Sequence, residues 1–79
     1  MILFLFGNYN IIMNKFAERL KELRIEKGLS IAALSKSLNM GVASICRWEN
    51  NQSDVKGEQL IVIAQFFGVS ADYLLGLEN

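Results

Sequence analysis

The chain has 79 residues, 52% of them hydrophobic, and its eight Lys and Arg balance its eight Asp and Glu. That length makes one domain, burying only about 60% of its unfolded surface, and the apolar content excludes a disordered chain. It has no histidine, no proline and one cysteine, which excludes His-based metal sites, His-dependent triads and an intrachain disulfide, and fits a reducing cytoplasmic setting.

Residues 1–13, MILFLFGNYNIIM, carry no charge. The segment is shorter than the roughly 20 apolar residues that span a bilayer, and it lacks the basic start and small-residue cleavage site of a signal peptide. It reads as an extension in front of a domain at 14–79. One possibility is a misassigned start with the natural one at Met13. The other is a strand or helix that packs on the domain or on a second copy. No membrane partner is expected.

The next stretch, NKFAERLKELRIEKG, is predicted to be a helix. Phe16, Leu20 and Leu23 recur at helical spacing with charges between them. Asn14 is placed to cap its start, Gly28 to end it in the left-handed conformation, and Glu18 to pair with Lys21. A second, short helix follows Ser30 as N-cap, with Leu34 and Leu38 inward and Asn39 ending it at positive φ. A third runs over about 42–50. Ile45, Trp48 and Glu49 share one side, and Ala43, Arg47 and Asn50 the other. Asn51 closes it as a left-handed cap. A fourth helix buries Leu60, Ile63, Ala64 and Phe67 and ends at Gly68. A fifth is capped by Ser70 and turns Tyr73, Leu74 and Leu75 inward.

Charge divides along this order. Residues 15–47 hold seven cations against three carboxylates, a net +4, and residues 48–79 hold one cation against five, a net −4. A basic half beside an acidic half suits a module that meets a polyanion with one side, and equally an ordinary solvated surface. Only Asn39, Met40 and Gly41 separate the second helix from the third. Two short helices joined this tightly are a helix-turn-helix, whose second helix fits the DNA major groove, or a plain hairpin within a bundle.

From Phe16 to Gly76 the chain resembles the lambda-repressor/Cro-like helix-turn-helix family, also called the XRE family. ERLKELRIEKGLS is similar to its first helix and turn, LNMGVASICRWEN to its turn and recognition helix, and IAQFFGVSADYLLG to its last two helices. The resemblance implies an all-α, five-helix domain and a semi-buried ion pair between Arg24 and Glu49. It also implies double-stranded DNA as partner, a homodimer on two half-sites, and transcription regulation of the repressor type. Trp48 is expected to pack at the core rim with its indole N–H free for phosphate or water.

Several positions depart from the family pattern. Ile31 and Val42 stand where glutamine is common, Gly41 where Ser or Thr caps, Gln52 where a basic residue is usual, and Gly57 where an apolar side chain is. What remains for DNA is Ser30, Ile31, Val42, Ala43, Ser44, Arg47, Asn50 and Asn51. Val42 and Ala43 suit thymine methyls, Ser44 a base or phosphate, and Arg47 the O6 and N7 of guanine. Ser30, the start of the second helix, Asn50, Asn51, Lys36 and Lys56 suit the phosphate backbone. Cys46 reads as a half-buried filler or, with a cation beside it, as a redox-sensing thiol. The departures leave room for an alternative, a protein-interaction or antitoxin-like module that keeps the fold and binds DNA weakly or not at all. No nucleophile–base pair, ligand cluster or phosphate loop is present in the sequence, so no enzyme activity, cofactor or small-molecule substrate is expected.

Overall fold

A computed structural model describes the backbone of residues 2–78 and the side chains of residues 14–78. Five helices follow in order: α1 Ile2–Glu26, α2 Ile31–Leu38, α3 Val42–Glu49, α4 Gly57–Phe67 and α5 Ala71–Leu74. No strand occurs among the described residues.

The first helix is longer than expected. It runs unbroken from Ile2 through Asn14, so Asn14 sits inside a helix, exposed, and caps nothing. With no proline in the chain and only one glycine in the segment, no residue there forces the backbone out of helical geometry. Glu18 meets Lys15 one turn back, at 3.6 Å on the surface, and not Lys21.

All five helices end alike. Within two residues of each helix's last residue comes one with positive φ: Gly28, Asn39, Asn51, Gly68 and Gly76. In each case the next amide bonds back to the carbonyl five residues earlier. Examples are Leu29 to Arg24 at 3.1 Å, Met40 to Ser35 at 3.0 Å and Gln52 to Arg47 at 2.8 Å. Asn39 and Asn51, both at φ 55°, fill the role as the non-glycine residue type that tolerates it best. Ser30 and Ser70 cap as expected, their hydroxyl oxygens accepting from the amides of Ala33 and Tyr73 at 3.0 and 2.9 Å.

One core collects from every helix: Phe16 and Leu20, Leu34 and Leu38, Ile45 and Trp48, Ile63 and Ala64, and Leu74. Phe16, Leu20, Leu34, Ile45, Ile63 and Leu74 are fully buried; each such side chain contributes about 1.5–3 kcal/mol. Leu60, Phe67 and Leu75 pack against this core half-buried. Helix α1 lies against α3 and α5, and α2 against α3 and α4. The guanidinium of Arg19 fastens the far end. It donates to the carbonyls of Tyr73 and Glu78, both at 2.7 Å, and lies 4.2 Å from the centre of the Tyr73 ring. Gly76 lies so near α1 that a Cβ there would meet Lys15 at 2.7 Å.

Candidate nucleic-acid interface

The turn between α2 and α3 is Asn39, Met40 and Gly41. Its left-handed Asn39 reverses the chain, and Met40 tucks against the core. The Ser35 hydroxyl donates to the Met40 carbonyl, while the Met40 amide donates to the Ser35 carbonyl. The bracket holds the turn from both sides. No sequence signature marks it, because Ser35 reads simply as a polar helix residue. Gly41 is the N-cap of α3 and supplies no side chain for the role, as its identity requires.

The inner side of α3 is fully engaged. Ile45 is fully buried and Trp48 is 3% exposed, edge-on to Phe16 with ring centres 6.3 Å apart. Glu49 takes two parallel bonds from Arg24, Nε to Oε2 at 2.7 Å and Nη2 to Oε1 at 2.9 Å. The third guanidinium nitrogen of Arg24 donates to the Leu29 carbonyl at 2.8 Å. Only 13% of the Arg24 side chain and 5% of that of Glu49 are exposed. The bonds to Glu49, aided by its charge and opposed by desolvation, hold the Arg24 pKa above its ordinary value. The ion pair that the family resemblance implied therefore exists, and it joins α1 to α3.

One expectation about this helix needs correction. The indole N–H of Trp48 is not free, since it donates to the Asp54 carbonyl at 3.2 Å in the segment leading to α4. A buried indole needs a partner, and the returning chain supplies one. Asn50 is the C-cap, one residue past the helix, and its side-chain amide donates to the Cys46 carbonyl at 2.8 Å. That carbonyl also accepts the Asn50 backbone amide at 3.0 Å, so the side chain adds a second donor at the helix end.

On the outer side the picture reverses. Val42 is 47% exposed, and Ala43 and Arg47 are exposed. No side-chain hydrogen bond or ion pair involves Arg47 among the described residues. Ser44 and Cys46 are half-buried at the edges. Ile31, first in α2, is half-buried and packs against the core. The Ser30 oxygen is occupied as a cap, leaving its proton free to donate. Asn51, Lys36 and Lys56 are exposed. The structure thus brings Val42, Ala43 and Arg47 onto the open side of α3, and turns Ile31 partly away from it.

A helix-turn-helix family model matches residues 20–74, which takes in the end of α1 and everything through α5. The chain belongs to the lambda-repressor-like (XRE) helix-turn-helix family. Its relatives include the HTH-type transcriptional activator BcrR of Enterococcus faecalis, 34% identical over 65 residues, which are 82% of this chain and 32% of BcrR. The HTH-type transcriptional regulator ImmR of Bacillus subtilis is 32% identical over 62 residues, 78% of this chain and 49% of ImmR. The HTH-type transcriptional regulator PrpR of Mycobacterium tuberculosis is 34% identical over 55 residues, 70% of this chain and 11% of PrpR. The chain spans half or less of the length of each of these relatives. As an XRE-type domain it has the five-helix fold expected of it, with α2 and α3 as the helix-turn-helix. No helix among the described residues is long and apolar enough to cross a membrane.

Proposed function

We propose that the chain is a sequence-specific DNA-binding transcription regulator of the phage-repressor type, which lays α3 in the major groove and acts as a homodimer on two half-sites. The observation that carries this reading is the division of α3: one side pinned by Ile45, Trp48 and the Arg24–Glu49 pair, the other side open at Val42, Ala43 and Arg47. A recognition helix needs both, a fixed seat and unoccupied side chains. The three relatives, all named as transcription regulators, support it. Few free cations flank α3, so a single copy binds weakly and two copies are needed for firm binding. The uncharged segment 1–13 is the candidate for joining them.

The alternative protein-interaction reading drew on Ile31 and Val42 in place of polar readers. Ile31 packs against the core, which gives it a structural reason to be apolar and leaves Val42 as the remaining support.

Selection of bound sequences from random DNA tests the proposal. The expected result is an enriched site with two related half-sites about 10 base pairs apart, bound more weakly as salt rises. Sedimentation of the full chain and of a form lacking residues 1–12 should show whether that segment is what pairs the copies. No enrichment and no salt-dependent binding by the folded protein would move the assignment to a protein-interaction module.

A further inference from the structure

Once the committed side chains are set aside, what α3 offers to DNA is a short inventory with definite chemistry. Val42 and Ala43 present only carbon. In the major groove the one carbon feature of the natural bases that such a surface fits is the C5-methyl of thymine. Arg47 presents paired N–H donors, which match guanine O6 and N7. Two side chains at the end of the helix that suit other bases are already bonded within the protein. The Asn50 amide, suited to adenine, donates to its own helix. The Glu49 carboxylate, suited to cytosine N4, is held by Arg24. The Ser44 hydroxyl is half-buried and bonds donors and acceptors alike. Ala43 and Arg47 lie one helical turn apart on the same face, about 6 Å along the axis, close to two base steps of 3.4 Å.

We propose that each half-site recognised by α3 carries a thymine and a guanine about two base pairs apart, and that the thymine is read only through its methyl group. This inference rests on the DNA-binding reading above. It adds a consequence: a cytosine methylated at C5 presents the same methyl, so at that position the protein treats 5-methylcytosine as it treats thymine and discriminates against both uracil and plain cytosine.

The test uses the site selected from random DNA and duplexes that differ by one methyl or one atom. At each pyrimidine of the half-site, T·A is compared with U·A, and 5-methyl-C·G with C·G. One position should lose about four-fold in affinity on removal of the thymine methyl, and gain about as much when cytosine there is methylated; burying one such carbon contributes about 0.8 kcal/mol. Both differences should vanish in the double variant Val42→Ser, Ala43→Ser, whose changes lie on the exposed face and whose folding is checked by its thermal melt. Replacing the guanine two base pairs away by 7-deazaguanine, which lacks only N7, should weaken binding about ten-fold or more. A selected site bound equally with and without every methyl, or a methyl effect undiminished in the double variant, would overturn the proposal while leaving DNA binding intact. Failure of the folded protein to bind any DNA would overturn both.

Discussion

Helix α3 has two sides that differ in almost every respect. On the inner side, Ile45, Trp48 and Glu49 are held by hydrophobic contact, an edge-on ring, a carbonyl and a two-bond ion pair. On the outer side, Val42, Ala43 and Arg47 touch little of their own protein. Stability is thus carried by one side of an eight-residue helix, and the recognition proposed above by the other. A surface that must match a partner to within about 0.5 Å needs a backbone fixed by other means, and the inner side supplies that.

The comparison breaks most severely at the ion pair. Arg24→Ala leaves the Glu49 carboxylate nearly buried without its partner. Removal of one member of such a pair costs up to about 3–5 kcal/mol, less the relief given by the partial exposure of the site. For a domain of this size that is a large share of total stability. The denaturant midpoint should fall sharply, and Arg24→Met combined with Glu49→Leu should recover much of the loss. An unchanged midpoint in the single variant would mean that the pair does not hold α3 in place.

Next in size is the outer side. Arg47→Ala should weaken binding to the selected site by about 1–3 kcal/mol and relax preference at one base position. Thermal stability should move by less than about 0.5 kcal/mol, as for an exposed side chain without partners. Arg47→Lys should keep non-specific binding and lose part of the discrimination, because lysine lacks the planar fork. Titration against single-base variants at fixed salt checks both. An equal loss on every sequence would reassign Arg47 to a phosphate.

The smallest effect lies on neither side of α3. Gly57 opens α4 without a positive φ, and a Cβ there would meet nothing within 4 Å. Gly57→Ala should therefore raise stability by about 0.4–1 kcal/mol, mainly by restricting the unfolded chain. DNA affinity should not change. A fall in the midpoint would show that the start of α4 has a constraint the local geometry does not reveal. The absence of a side chain at Gly57, a departure from the family pattern, is on this view a modest loss of stability and not a defect in packing.

What could be read from sequence divides on physical lines. Caps and helix ends were legible because they are local: Ser30, Asn39, Asn51, Gly68 and Ser70 act on amides and carbonyls within five residues. The core stripe was legible because helical spacing alone places Phe16, Leu20, Leu34, Ile45 and Ile63 inward. The Arg24–Glu49 pair spans 25 residues, and only family resemblance linked its members. The partner of Trp48 depends on where the chain passes on its way from α3 to α4, which no periodicity encodes. Helical spacing places Asn50 outward, and it is exposed; the bond of its side-chain amide to the Cys46 carbonyl is a local contact that spacing does not reveal. Asn14 failed as a cap because a good capping residue signals a helix start only where the helix begins.

Trp48 is the only tryptophan in the chain. Packed on Phe16 and bonded to the Asp54 carbonyl, its indole sits among the core residues with 3% of its surface open to water. The protein's intrinsic tryptophan fluorescence therefore originates entirely on the inner side of α3. It is an optical gauge of whether the seat is intact, and by its position it is screened from whatever lies against Val42, Ala43 and Arg47. Two signals that are usually entangled in a small DNA-binding domain, folding and occupancy, are separated here by the thickness of a single helix.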